Sequence, residues 1–190
     1  MRIAVLRDVR NFVIEEAPMP SIGRDEVLIR VKACGICTSE LYLWSGKFKG
    51  INFPLYLGHE PSGVVEATGE DVTNISVGDR VTFLSEVGRC FAEYVKAKKS
   101  NVIKIPSSIS FEEALGEPIA CAVNGIQRSN IHLGDVVVVI GCGFMGLLLI
   151  QLAALRGPSE LIAIDINDER LKIAEEFGAE VSLNPYRVDS

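Results

Sequence analysis

The fold is decided by VVVVIGCGFMG, which occupies residues 136–146. Five apolar β-branched residues predict a strand, and Gly141, Gly143 and Gly146 follow it directly, at the start of an apolar helix pattern. Asp165 then ends the next predicted strand, nineteen residues after Gly146. A strand, a G-x-G-x-x-G turn, a helix and an acidic residue at this distance are typical of a dinucleotide-binding βαβ unit.

Each part of this pattern has a physical use. Glycines let the backbone approach a pyrophosphate, and the N-terminus of the following helix supplies N–H donors and a positive dipole. Asp165 can accept hydrogen bonds from the adenine-ribose hydroxyls, and its charge would repel a 2′-phosphate, which favours NAD over NADP. The alternative is a glycine-rich strand–helix connection with an exposed aspartate and no ligand.

Short strand patterns occupy most of the chain before this unit. Residues 1–130 alternate strands with Gly and Pro punctuation, which favours a β-barrel-like domain. Residues 131–190 predict the first half of a doubly wound parallel sheet, so the fold class is mixed α/β. The predicted strands are 3–6, 12–14, 26–33, 63–67, 79–83, 91–95, 102–105, 136–140, 161–164 and 181–183, and the predicted helices are 111–125, 143–156 and 168–177.

Composition and charge exclude several classes of partner. The chain has 190 residues, of which 48% are hydrophobic and 23% charged, and its formal net charge is −6. Its Lys and Arg residues are scattered, so we expect no binding to nucleic acid or to a membrane surface. The N-terminal apolar run is too short for a signal peptide, and five cysteines without a secretion signal indicate reduced thiols. The sequence therefore predicts a cytoplasmic protein.

A second set of residues combines Cys34-Gly35-Ile36-Cys37 with Gly58-His59-Glu60. The Cys-x-x-Cys alone could be a redox pair or half of a structural zinc site. A structural site needs four Cys or His ligands at short spacing, but this chain has no second Cys-x-x-Cys and only two histidines. A thiolate, an imidazole and carboxylates with one open position describe a catalytic zinc site instead. We interpret His132, the other histidine, as an ordinary turn residue.

Together these motifs resemble the zinc-dependent medium-chain alcohol dehydrogenase family. Residues 58–63 (GHEPSG) are similar to the family's zinc signature, and residues 33–37 (ACGIC) are similar to its first zinc-ligand segment. Glu117, followed by proline, resembles the sorbitol/polyol (or threonine) dehydrogenase branch, since plain alcohol dehydrogenases have a zinc-binding cysteine there. The resemblance implies a GroES-like catalytic domain over residues 1–130 and the N-terminal half of a Rossmann NAD-binding domain over residues 131–190.

The resemblance also implies a ligand set for one catalytic zinc ion. Cys37 and His59 would bind the metal. Glu60 would bind it directly or support the other ligands, and Glu117 would be a further ligand or would hold the zinc-bound water or substrate. Cys121, one helical turn after Glu117, is an alternative ligand, although we favour a packing role for it.

A reaction and its proton path follow from the same resemblance. The activity would be hydride transfer between a secondary alcohol or polyol and NAD, with zinc acting as a Lewis acid. Ser39 would pass the alcohol proton outward, and Tyr42 stands where the family's relay histidine is expected. The residues expected near NAD are Gly141, Gly143, Phe144, Met145, Gly146, Asp165 and Arg170.

Two departures from the family pattern lead to further expectations. The four closely spaced cysteines of a structural-zinc lobe are missing between Val81 and Phe91, so we expect one zinc per chain. The chain also stops after two helices of the nucleotide fold, so we interpret it as an N-terminal fragment that is inactive by itself. The full-length protein is expected to be a homo-oligomer.

Two rival functions stay open at this point. A zinc-free quinone reductase of the same superfamily is opposed by the combination of Cys37, His59 and Glu60, and metal analysis would distinguish it. A non-enzymatic zinc- or nucleotide-binding module is favoured only by the shortness of the chain, and the length of the native gene product would decide.

Overall fold

The chain divides into two compact units, Met1–Glu117 and Pro118–Ser190. A computed structural model describes residues 1–85 and 88–187. Glu86 and Val87 belong to the stretch in which no structural-zinc lobe is predicted, and they lie outside the described residues. The functional boundary at residue 130 stays a prediction.

Antiparallel strands make up most of the first unit. They are β1 (Arg2–Asp8), β2 (Asn11–Glu16), β3 (Glu26–Gly35), β4 (Leu55–Tyr56), β5 (Glu60–Thr68), β6 (Arg80–Phe83), β7 (Tyr94–Lys98) and β8 (Val102–Lys104). One sheet has the order β2-β1-β4, and a second has the order β7-β3-β5-β6-β8. Alternate side chains of the larger sheet form the core of the unit, which includes Val27, Ile29, Val65, Val81, Phe83 and Val95. The prediction of a domain built from many short strands is confirmed.

Strand β7 begins three residues later than predicted. The residues expected to start it pair with β1 instead: Phe91 C=O accepts the N–H of Ala4 at 2.8 Å, and Ala92 forms a bridge with Ile3. Pairing with β3 then starts at Tyr94 and continues to Lys98. Residues 91–98 therefore pair first with β1 of one sheet and then with β3 of the other, which apolar alternation alone does not predict.

Helix α1 (Thr38–Ser45) has no counterpart among the predicted elements. It begins directly after Cys37, whose N–H donates to the Glu40 carboxylate at 3.1 Å and closes the first turn. Its large apolar residues are mostly exposed, so it lacks the buried stripe by which a sequence indicates a helix. One of them, Trp44, lies under the Arg10 guanidinium, with Cζ 5.7 Å from the ring centroid.

The prediction of a helix over residues 111–125 is wrong at its start. Helix α2 runs over Gly116–Arg128, and the preceding turn is closed by hydrogen bonds between Ser110 and Glu113. A helix from residue 111 would place Pro118 in its interior, where proline removes a hydrogen bond and clashes with the preceding turn. Starting at Gly116 places Pro118 in the first turn, where a missing N–H costs nothing.

Parallel strands and helices alternate in the second unit, as predicted. The elements after α2 are β9 (Val136–Ile140), α3 (Phe144–Ala154), β10 (Glu160–Ile164), α4 (Asp168–Glu176) and β11 (Val181–Leu183). The sheet order is β11-β10-β9 with both pairs parallel, which is the first half of a doubly wound sheet. Across residues 1–85 and 88–187, no helix has the length and apolar character needed to cross a membrane.

Candidate functional site

Strand pairing brings the two halves of the zinc-like motif together. β3 and β5 are antiparallel with Gly35 opposite Glu60, so the turn after β3 meets the start of β5. One ligand atom each from Cys37, His59 and Glu60 lies within 4.8 Å of the others. In the part of the chain that the structure describes, no other group of three His, Cys, Asp or Glu side chains comes this close. A thiol, an imidazole and a carboxyl group at this separation fit the mixed donor set of catalytic zinc.

His59 is oriented by a carboxylate that the sequence predictions omit. Glu40 is 4% exposed, and its Oε1 lies 3.1 Å from His59 Nδ1 and accepts the N–H of Gly58 at 2.6 Å. A carboxylate only accepts hydrogen bonds, so this contact favours a proton on Nδ1, and the neutral imidazole then keeps its lone pair on Nε2. Nε2 lies 3.9 Å from Oε1 of Glu60. Glu40 thereby selects the tautomer that a metal ligand requires.

The carboxyl group of Glu60 occupies space that Gly35 leaves free. A Cβ on Gly35 would lie 2.1 Å from Oε2 of Glu60, so any larger residue would displace this group. Burial raises the pKa of Glu60 above its ordinary value of 4.5; His59 counteracts the rise, and the charges of Glu117 and Glu40 add to it. A bound cation would favour the ionised carboxylate, because an opposite charge stabilises the charged form.

The other cysteine of the Cys-x-x-Cys, Cys34, packs against the core of the first unit. Burial raises the pKa of its thiol to about 12. The attacking thiol of a Cys-x-x-Cys redox pair has a lowered pKa instead, so this environment opposes the redox alternative. All five cysteines of the chain are free thiols.

The remaining predicted residues of the metal centre lie outside the three-residue group. Glu117 is the second residue of α2 and is half-buried, and its charge acts on Glu60. Ser39 and Tyr42 are both exposed on α1, where residues three apart share a face. Cys121, the alternative ligand, is exposed on α2. Roles in zinc binding and proton transfer stay predictions for all four.

The glycine turn of the second unit closes through backbone contacts. Gly141 has a φ of 91° and donates its N–H to the end of β10 at 2.7 Å. A Cβ on Gly146 would lie 1.8 Å from Gly141 O, whereas a Cβ on Gly143 would meet only a guanidinium nitrogen at 4.0 Å. Phe144 and Met145, the first residues of α3, are exposed. The turn is therefore tight behind α3 and open at its N-terminus, as a pyrophosphate site requires.

Asp165 holds the glycine turn in place. Its carboxylate accepts the N–H of Cys142 at 2.6 Å and that of Asn167 at 2.8 Å, and its side chain is 6% exposed. Arg170 Nη1 lies 4.0 Å from the same carboxylate. Each carboxylate oxygen offers two lone pairs, so a ribose hydroxyl can still donate to it. Asp165 therefore has a structural function that its position after a strand does not reveal.

Acid is expected to weaken the second unit through Asp165. Burial acts to raise the pKa of this carboxyl group, but the N–H donors of Asn167 and Cys142, together with Arg170, hold it below its ordinary value of 3.8. A carboxyl group whose pKa is lower in the folded than in the unfolded state stabilises the fold at pH values above its unfolded pKa. This contribution is lost as the pH falls through the pKa of the folded state. We therefore expect Asp165→Asn to be less stable than the wild type near neutral pH, with the difference shrinking as the pH falls below the ordinary pKa of 3.8.

Denaturant unfolding followed by circular dichroism at several pH values measures this difference. Glu176→Gln, which alters an exposed carboxylate at the end of α4, is the control and should track the wild type. A constant difference between Asp165→Asn and the wild type at every pH would contradict the prediction.

Comparison with known proteins finds similarity to dehydrogenases over both units. Residues 23–107 match the family model of the alcohol dehydrogenase GroES-like domain. A sorbitol dehydrogenase from Bacillus subtilis (strain 168) is 33% identical to this chain, over 100% of the chain and 63% of that protein. The crystal structure of 2R,3R-butanediol dehydrogenase from Bacillus subtilis has a TM-score of 0.82 at 30% identity, over 100% of this chain and 64% of that one. A structure from Sinorhizobium meliloti 1021, described as a zinc-binding dehydrogenase bound to NADP, has a TM-score of 0.84 at 30% identity, over 99% and 63%.

The comparisons support membership of the zinc-dependent medium-chain alcohol dehydrogenase family, and sorbitol and threonine dehydrogenases are among the relatives, as expected for that branch. The similarity to solved dehydrogenase structures confirms the predicted fold class, a GroES-like domain followed by a Rossmann half-sheet. The chain spans 63% of the length of the sorbitol dehydrogenase, so the activity, substrates and partners of the whole protein are proposals.

Proposed function

We propose that the whole protein is a zinc-dependent oxidoreductase that transfers a hydride between a secondary alcohol or polyol and NAD. The observation that carries the proposal is the group of Cys37, His59 and Glu60 within 4.8 Å, on a chain that also contains a dinucleotide turn. When bound, zinc would act as a Lewis acid on the substrate oxygen, and NAD would accept the hydride.

The first unit supplies the ligands and the proton path. Cys37 offers a thiol, and His59 offers an Nε2 lone pair that Glu40 keeps available. Glu60 or Glu117 contributes a third protein donor, which leaves one position for the substrate oxygen, the usual arrangement of catalytic zinc. Ser39 lies on the exposed surface of α1, from which a proton can pass to water.

The second unit supplies the dinucleotide site. The open N-terminus of α3 suits the pyrophosphate, because its N–H groups and dipole attract an anion. Asp165 and Arg170 lie beside the turn, where the acidic residue favours an unphosphorylated ribose and therefore NAD. The related Sinorhizobium meliloti structure is bound to NADP, so the two cofactors need direct comparison.

The setting of the reaction is also part of the proposal. Free thiols at all five cysteines suit a reducing compartment such as the cytoplasm. A small alcohol or polyol is the proposed partner. A homo-oligomeric full-length protein that binds neither nucleic acid nor membrane stays a prediction.

The test measures alcohol-dependent reduction of NAD and NADP by the protein isolated from the cells that make it, so that its length is native. We expect NADH formation with at least one of sorbitol, threonine and 2,3-butanediol, loss of activity after chelation, and recovery with zinc. His59→Ala should be inactive, because the imidazole ligand is lost. His132→Ala, which removes an exposed histidine, should remain active. A zinc-loaded wild type that oxidises no secondary alcohol or polyol would refute the proposal.

A further inference from the structure

Two buried hydroxyl groups link the start of α2 and the segment before it to strands β5 and β6. Ser62 on β5 and Thr82 on β6 are direct cross-strand partners, and their exposed fractions are 0% and 7%. Ser62 Oγ donates to Phe111 C=O at 2.6 Å. Thr82 Oγ1 donates to Pro61 C=O at 3.0 Å. Both hydroxyls therefore donate to backbone carbonyl groups, and the one held by Thr82 belongs to the residue that follows Glu60.

Thr82 makes the more direct connection, because its hydroxyl bonds in two directions. Besides donating to Pro61, its Oγ1 accepts the N–H of Gly116 at 2.9 Å. Pro61 directly follows Glu60, and Gly116 directly precedes Glu117. The Thr82 hydroxyl therefore bonds to the backbone of the residue next to Glu60 and to the backbone of the residue next to Glu117.

Gly116 and Gly35 allow this close packing because neither has a side chain. A Cβ on Gly116 would lie 2.6 Å from Cγ2 and 2.9 Å from Oγ1 of Thr82. A Cβ on Gly35 would lie 2.1 Å from Oε2 of Glu60 and 3.0 Å from Cδ1 of Leu115. Leu115, two residues before Glu117, and the carboxyl group of Glu60 therefore both pack against Gly35.

We propose that Thr82 is a positioning residue of the metal centre, whose hydroxyl sets the distance between the backbones of Glu60 and Glu117 and so brings the Glu117 carboxylate to the metal. This inference rests on the proposed function, since it requires a metal ion at Cys37, His59 and Glu60. Thr82 acts through the backbone and does not touch the metal. Serine retains both the donor and the acceptor, whereas valine, of similar shape, retains neither.

Zinc affinity is the first measurement, by competition with a chelator. We expect Thr82→Val to bind zinc about 10- to 100-fold more weakly than the wild type, the usual cost of losing an outer-shell partner. Thr82→Ser should stay within about 3-fold of the wild type, because both hydrogen bonds can form again. Ser62→Ala is the matched control: it removes the neighbouring hydroxyl, which holds Phe111 rather than Gly116. It should lower the unfolding temperature but keep the wild-type zinc affinity within about 3-fold.

A double-mutant cycle with Glu117→Gln tests whether Thr82 acts through Glu117. Once Glu117 is altered, adding Thr82→Val should weaken zinc binding by no more than about 3-fold. In the cobalt-substituted protein, Thr82→Val and Glu117→Gln should change the visible absorption band of the metal in the same direction. Should Thr82→Val fail to fold, Gly116→Ala serves instead, since it keeps the hydroxyl but pushes against Cγ2 and should give the same loss.

The outcomes separate this inference from the proposed function. A wild-type protein that binds no zinc would refute the metal centre itself. Zinc binding by the wild type with unchanged affinity in Thr82→Val, no rescue by serine, or additive losses in the cycle would each refute only the role of Thr82.

Discussion

Replacing Cys37 by alanine is expected to lower the zinc affinity of the protein by more than about 100-fold, beyond the usual cost of losing an outer-shell residue. Cys37 contributes the sulfur of a group whose other members are His59 and Glu60, all within 4.8 Å. Without the thiolate, only an imidazole and carboxyl groups remain as candidate donors, and this set lacks the soft, anionic sulfur that zinc binds well. Competition titration, with metal content measured after dialysis against a chelator, checks this result.

Cys90→Ala provides the matched control, since it also removes a thiol from the first unit. Cys90 is buried in the core of that unit, and burial raises the pKa of its thiol to about 12, which disfavours a thiolate. The variant should lose stability through the cavity but should retain one zinc per chain. Tight zinc binding by Cys37→Ala would refute the ligand assignment, and two tightly held ions in the wild type would refute the single-site prediction.

Gly146→Ala is expected to destabilise the second unit by about 3 kcal/mol, at the upper end of the usual cost of overpacking, because its clash is with backbone. The new Cβ would lie 1.8 Å from the oxygen and 2.9 Å from the carbonyl carbon of Gly141. The turn would have to open and α3 to move, so NAD binding should be lost together with stability. Thermal unfolding followed by circular dichroism and calorimetric titration with NAD measure the two effects.

Gly143→Ala separates nucleotide binding from folding. Gly143 has a φ of −75°, which alanine adopts without strain, and the only side-chain atom near its Cβ is Arg170 Nη1 at 4.0 Å. This variant should unfold at the wild-type temperature yet bind NAD at least about 10-fold more weakly, because its methyl group projects where the pyrophosphate approaches. Wild-type NAD affinity in Gly143→Ala would show that the nucleotide does not approach this turn.

The second unit is the more predictable half of the fold, because its signals are local. A run of β-branched residues marks β9, three glycines mark the turn, and Asn167 caps α4 by accepting the N–H groups of Glu169 and Arg170. None of these signals depends on a residue far along the chain. The hydrogen bond from the N–H of Cys142 to Asp165 is the exception, because it forms only when β10 pairs with β9 and brings Asp165 beside the turn.

The first unit shows why the rest of the candidate site cannot be predicted from the sequence. Cys37, His59 and Glu60 stand out as motif residues, but Glu40 acts through a contact with Gly58, eighteen positions away. That contact depends on the register of β3 against β5, which sequence periodicity does not specify to the residue. The signal that indicates Glu40 is its position three residues after Cys37, the spacing of a capping box.

The position of Trp44 gives the protein an optical property. It is the single tryptophan of the chain, and it lies on α1, the helix that begins at the thiol of the metal centre. The ring is partly open to solvent and has the Arg10 guanidinium over its face. Indole emission responds to solvent and to nearby charge, so the tryptophan fluorescence of this chain reports on α1. A titration with metal can thus be followed at one known place in the molecule without attaching a label.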